Sequence, residues 1–230
     1  MCAQYTIKVK AKTLSEMFRA KLDAEMEIEN KRVLPYQTAP VVVQEGFTRV
    51  LKEMQFSLVP KWSKEKRVKF ATHNARLLSF DEKKHEVVPI FEKPTWKDPF
   101  IRRHCLVPMS DFIEPIYTGE YAGNMVRFEP PHHGMLVAAG LWEEWTSRET
   151  GEVVDSFTVI THEPVPFVEK IGHDRSPVFL AERDYDEWLS PRTDDPKQLV
   201  RFLIDHQQKP ELEVEKERAL KSGWEKRRTT

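Results

Sequence analysis

Seven short apolar runs, each broken off by proline, glycine or a cluster of charges, limit what this chain can fold into more than any other feature. They read "APVVVQEG", "MQFSLVP", "HCLVPM", "MVRFEPP", "GMLVAAGLWEEW", "SFTVITHEP" and "SPVFL". Runs of this length with β-branched or aromatic content predict strands. Their spacing suits a curled, mainly antiparallel sheet or barrel with helices laid around it, an α+β fold, although the order of pairing cannot be read. Leu14, Met17, Phe18 and Leu22 recur at helical spacing in "TLSEMFRAKLDAEME", which begins with the cap-type residues Thr13 and Ser15 and predicts an early amphipathic helix. Further helices are expected in "PVPFVEKIG", "ERDYDEWL" and "DPKQLVRFLIDHQQ", the last capped by Asp194 or Asp195. A single domain over residues 2–204 is expected. Beyond about Asp205 charges dominate, so residues 205–230 read as a charged tail or a peripheral helix.

Charge excludes some functions. With 36 basic and 37 acidic residues the formal net charge is −1, so no global field draws the protein to nucleic acid or membrane, and any anion binding must be local. No run approaches the roughly 20 apolar residues that span a bilayer, and the N-terminus lacks a secretory-type segment. A cytoplasmic protein without membrane contact is expected. The two cysteines, Cys2 and Cys105, form no CxxC pattern, and the histidines show no ligand spacing with a matching partner pair, so neither metal nor cofactor is expected. Cys105, inside "HCLVP", reads as core.

Four places could carry chemistry. Methionine followed by a small residue is a usual substrate for removal, which would leave Cys2 with a free α-amine beside its thiol. Such a 1,2-aminothiol closes a thiazolidine ring on an aldehyde; a frayed, inert terminus is the alternative. Between Lys61 and Lys69 lie five basic residues and one acid, with Phe56, Trp62 and Phe70 interleaved. Lys61, Lys64 and Arg67 could neutralise phosphates while Phe56 and Trp62 stack on unpaired bases, as in a single-strand groove. The same composition fits a solvated lysine-rich loop whose aromatics belong to the core. Asn74 and Arg76 in "THNAR" could orient a carbonyl or hold a phosphate, or simply form a turn. Glu114, ahead of Pro115, and His173, flanked by Gly172, Asp174 and Arg175, could transfer protons, with those flanks fixing the imidazole tautomer.

Taken in order, Cys2, "SLVPKW", "NAR", "CLVP" with a glutamate soon after, "AGLWEEW", "SFTVIT" and "HDRSPVFL" resemble the SOS response-associated peptidase (SRAP) family, from Cys2 to about Trp188. The resemblance implies a β-rich barrel with surrounding helices. It implies a protein that cross-links to the ring-opened aldehyde of abasic sites in single-stranded DNA, with Cys2 as nucleophile, Asn74 as polar orienter, Glu114 as proton donor and acceptor, and His173 as a further acid–base group. Arg76 matches a phosphate-binding arginine. The chain departs from the family's usual Met-Cys-Gly-Arg start at Ala3 and Gln4, and Pro115 stands where tryptophan usually follows the glutamate. Single-stranded DNA with abasic sites is thus the expected partner of a monomeric protein. A cysteine-type peptidase using Cys2, His173 and Glu114 is the alternative, and a binding module with an incidental cysteine is a third reading.

Overall fold

The structure is a computed structural model that describes residues 4–26, 28 and 30–225. β1 (Tyr5–Ile7) and α1 (Ala11–Phe18) lead through β2 (Ala20–Leu22) and β3 (Lys31–Val33) to the long hairpin of β4 (Thr38–Glu45) and β5 (Thr48–Phe56). β6 (Asn74–Arg76), the small hairpin of β7 (Leu78–Asp81) and β8 (Glu86–Pro89), and α2 (Lys97–Arg102) follow. Next come β9 (His104–Met109), β10 (Asp111–Ile116), β11 (Asn124–Glu129), β12 (Leu136–Thr146) and β13 (Val153–His162). The chain then runs through α3 (Pro166–Ile171), β14 (Ser176–Pro177), α4 (Tyr185–Leu189), α5 (Pro196–His206) and β15 (Glu213–Ala219).

Two sheets form the body. In the larger, the order β13-β12-β9-β4-β5 closes on itself, because β5 returns to pair in parallel with β13 through Gln55 and Phe56 opposite Ser156 and Phe157. Stacking of Phe56 on Phe157, with centroids 5.2 Å apart, fills that seam. The smaller sheet has the order β15-β11-β10-β1-β3. It packs against the barrel through Tyr5, whose ring meets Phe56 edge-on at 5.5 Å, and through Phe112, stacked on Phe128 at 4.9 Å and tilted against Phe179. The expected α+β architecture with a β-rich barrel is what the chain adopts.

Two expectations need correction. The early helix stops at Phe18, because Arg19 takes the left-handed conformation (φ 50°) and residues 20–22 pair in parallel with the edge of β5. Its buried stripe is Ala11, Leu14 and Phe18, whereas Met17 and Leu22 are exposed, so helical spacing continued past the point where burial did. Residues 213–219, expected within a charged tail or peripheral helix, form the edge strand β15 on β11. Leu212 and Val214 pack on the core there, and a strand needs only those two apolar contacts when its neighbour supplies the backbone partners. The α5 cap falls on Asp195, whose carboxylate accepts from the Lys197 amide.

Packing is close where β9, β12 and β13 meet. A Cβ on Gly140 would lie 2.7 Å from Val107 Cγ2, 2.8 Å from Cys105 Sγ and 2.9 Å from the Thr158 carbonyl oxygen. Gly140→Ala should therefore lower the urea midpoint at unchanged m-value, with a loss of about 1–3 kcal/mol. Nearby, His104 stacks on Trp188 at 4.0 Å and donates from Nε2 to the Phe100 carbonyl at 2.7 Å. Burial pushes its pKa down to about 4. The unfolded chain takes up this proton near pH 6.5 while the folded chain resists it, so the contribution is intact above pH 6.5 and is lost as pH falls toward 4. The loss should be on the order of 3 kcal/mol. Urea titrations at pH 7.5 and 4.5 should show it, and His104→Gln should flatten the difference.

Candidate active site

Glu114 sits on β10 beside Phe112 and Ile116, 1% exposed, and a carboxylate so placed needs a partner. His173 Nε2 lies 3.5 Å from Glu114 Oε2. The imidazole is held there by the turn that ends α3. Gly172 adopts φ 105°, and a Cβ on it would lie 2.4 Å from the Thr118 carbonyl oxygen, so only glycine lets α3 approach the β10–β11 loop this closely. His173 Nδ1 is 2.8 Å from the Arg175 carbonyl oxygen and 3.2 Å from the Arg175 amide. The shorter contact is attractive only if Nδ1 carries a hydrogen, which leaves Nε2 turned to Glu114. The flanking residue that reaches the imidazole is Arg175, through its backbone. Burial lowers the His173 pKa, and the Glu114 charge works against that shift.

Cations border this pair. Arg76, on β6, and Arg175, just ahead of β14, flank β13, where Thr161 pairs with both Arg76 and Pro177. Burial and then the charge of Arg175 lower the Arg76 pKa, and burial and then Arg76 lower that of Lys93. Arg175 keeps an ion pair with Asp174 at 3.2 Å, but its Nη1 is buried without a hydrogen-bond partner among the described residues. Arg76 thus stands between two like charges, Arg175 and Lys93, with the Asp174 carboxylate as a counter-charge, and an anion beside it would relieve the repulsion. In the sequence Arg175 stands out only as a neighbour of His173, and Lys93 carries no local motif at all. Burial lowers the His73 pKa and the Glu114 charge partly restores it, so this residue, just ahead of β6, lies within the field of Glu114. Asn74 is buried in β6, opposite Val159.

The basic aromatic stretch leaves the same rim. Ser57, at φ 98°, turns the chain out of β5, and the Leu58 amide donates to the Thr72 carbonyl at 3.2 Å, closing the base of the loop next to β6. Trp145 Nε1 donates to the Ser63 carbonyl at 2.8 Å, Lys66 pairs with Glu152 at 2.6 Å, and Arg67 lies over the Tyr36 ring at 4.7 Å. Fixed in this way, Trp62 and Phe70 stand half out of the protein, 54% and 46% exposed, with ring centroids 6.3 Å apart and planes 20° from parallel. Lys61 and Lys64 are exposed beside them. Phe56 is corrected: it is fully buried between Tyr5 and Phe157 and has no face to offer a base. Apolar spacing alone does not tell which aromatic of such a stretch faces the core.

Cys2 lies outside the described residues. Gln4, two positions on, is anchored to the active-site strand, its carbonyl accepting from the Ile113 amide at 3.0 Å next to Glu114. Among the described residues no group of three or more His, Cys, Asp or Glu could hold a metal, and no helix is long and apolar enough to cross a membrane.

Comparison with known proteins follows this geometry. The abasic site processing protein YoqW of Bacillus subtilis (strain 168) is 27% identical over 205 residues, covering 88% of this chain and 86% of that protein. The abasic site processing protein YoaM of the same organism is 28% identical over 172 residues, covering 75% and 70%. A crystal structure of a protein from Bacteroides thetaiotaomicron superposes with a TM-score of 0.72 at 18% identity, covering 98% of this chain and 94% of the other. One from Bordetella bronchiseptica gives 0.68 at 20% identity, covering 96% and 100%. The profile of the family described as SOS response associated peptidase (SRAP) matches residues 1–218, a span that takes in both sheets up to, but not including, the last residue of β15 and every residue of the buried pair and its cations, and the chain belongs to that family.

Proposed function

We propose that this protein acts in the DNA-damage response by linking covalently to abasic sites in single-stranded DNA through Cys2. The observation that carries the reading is the buried Glu114–His173 pair beside Arg76, Arg175 and Lys93: a proton-transfer couple next to an anion-binding corner. An abasic site offers the matching features, an aldehyde flanked by two phosphates. Membership of the SRAP family and relatives named abasic site processing proteins support the same substrate.

The chemistry requires that Met1 be removed. The neutral Cys2 amine adds to the aldehyde carbon, and the carbinolamine loses its hydroxyl as water once that oxygen is protonated. The thiolate then adds to the imine carbon while the nitrogen regains a proton, closing the thiazolidine with net release of one water. Each step moves a proton at the reacting carbon or its substituents, which is the work a Glu–His couple can do. Arg76 and Arg175 would hold the phosphate beside the lesion, Asn74 would orient the aldehyde, and Trp62 with Phe70 would stack on neighbouring bases. Lys61, Lys64 and Arg67 would supply local charge that a net charge of −1 does not.

Intact-mass measurement after incubation with an abasic single-stranded oligonucleotide tests the reading. The expected adduct is protein lacking Met1 plus oligonucleotide minus one water. Cys2→Ala should give none, and Glu114→Gln should slow its formation on the order of 10²–10⁴-fold without loss of DNA binding. An active preparation retaining Met1 would instead favour a thiol peptidase, which needs no free α-amine. Affinity for single strands, read by fluorescence anisotropy at several salt concentrations, should fall with a slope of about −0.7 per phosphate engaged. Charge reversal at Lys61 and Lys64 should flatten that slope. Trp62→Ala should leave the slope alone and cost on the order of 1–3 kcal/mol.

A further inference from the structure

β3 and β15 are opposite edges of the five-stranded sheet. At the usual strand spacing they would stand on the order of 19 Å apart if the sheet were flat. Arg32 on β3 nevertheless makes a direct ion pair with Glu217 on β15 through Nη1 and Oε1. The sheet is therefore rolled until its edges meet through side chains. Glu217 reaches across because it is the extra residue of a β-bulge: Met125 pairs with Arg218 and Val126 with Lys216, leaving Glu217 between them. Bulges of this kind redirect a side chain. Inside the roll, Arg127 spans Glu217 at 3.6 Å and Asp111 at 2.9 Å, and the fully buried Asp111 also takes Lys8 at 3.0 Å and the Thr6 hydroxyl.

The same Arg32 holds Gln4. The carboxamide oxygen of Gln4 accepts from Arg32 Nε at 3.1 Å and Nη2 at 2.7 Å, so one guanidinium grips both the C-terminal strand and the residue two positions after Cys2. Gln4 is buried, and its backbone is tied to Ile113, the neighbour of Glu114. An arginine at position 4 would set two guanidiniums against each other, whereas glutamine accepts both bonds. We infer that Arg32 and Glu217 form a latch that closes the five-stranded sheet around β1 and thereby holds Gln4, two positions after Cys2, beside Glu114. Both are positioning residues, and the inference rests on the reading of Cys2 as the nucleophile.

The latch is tested with Arg32→Ala and the milder Glu217→Gln in single-turnover cross-linking of an abasic single-stranded oligonucleotide. Misplacing a nucleophile lowers the maximal rate rather than affinity, so the rate at saturating DNA should fall roughly 10–100-fold in Arg32→Ala and less in Glu217→Gln. The half-saturating DNA concentration should stay unchanged. Amide hydrogen exchange at Tyr5 and Thr6, measured without DNA, should accelerate in the same order. Unchanged maximal rates would overturn the inference, as would a loss confined to half-saturation, which would make Arg32 a DNA contact. If the unsubstituted protein forms no adduct, the reading of Cys2 fails. The exchange measurement still decides the latch, since unaltered exchange in Arg32→Ala would show that the pair holds nothing.

Discussion

The parallel contact of β5 with β13 is the constraint from which the rest of the molecule follows. Two residue pairs close a five-stranded ring, and the stacked Phe56 and Phe157 make that closure dry. With β12 along one edge of β13, the other edge takes β5 and then β6, while β14 joins the β12 edge beyond Gly140, so that Thr161 has Arg76 on one side and Pro177 on the other. One strand thus brings together the start of the basic loop, Asn74 and Arg76 on β6, and the approach to β14 that carries His173 and Arg175. These side chains come from distant parts of the sequence, and what they share is one extended backbone. Loss of the seam would scatter all of them at once.

Against this frame the Glu114–His173 pair is a cost. Two ionisable groups are taken almost wholly out of water, and their contact at 3.5 Å is longer than a strong hydrogen bond. Arg76 is repelled by Arg175 and repels Lys93 as well. Replacing a buried ion pair by apolar residues of similar volume is often neutral or stabilising, so this pair is not explained by stability. The surrounding fold supplies what the site lacks, through close packing such as that at Gly140 and through the fully buried aromatic residues that join the two sheets.

Much of the fold was legible because short apolar runs ending in proline, glycine or charge can be little else than buried strands. The pairing order was not, since β13 joins partners up to a hundred residues away and two of its pairings are parallel, which no local pattern encodes. β15 was missed because its residues are mostly charged; the neighbouring strand, and not its own composition, makes it a strand. At the site, Glu114 and His173 could be singled out as residue types, but their mutual contact arises from Gly172 and the β10–β11 loop. Phe56 and Trp62 look equivalent in sequence and differ only in which side of the barrel wall they occupy. Lys93 belongs to the cation cluster solely through tertiary proximity.

The circular closure of the smaller sheet has a further consequence for biosynthesis. β1 lies near one end of the sequence, whereas its neighbour β10 is about a hundred residues later and β15 another hundred beyond. At ribosomal rates of roughly 5–20 residues per second, on the order of 10–40 s pass between the emergence of β1 and that of β15. During that interval the N-terminal segment is on the ribosome surface without Glu114, His173 or the latch around it. The sheet around β1 is complete only when translation is nearly finished.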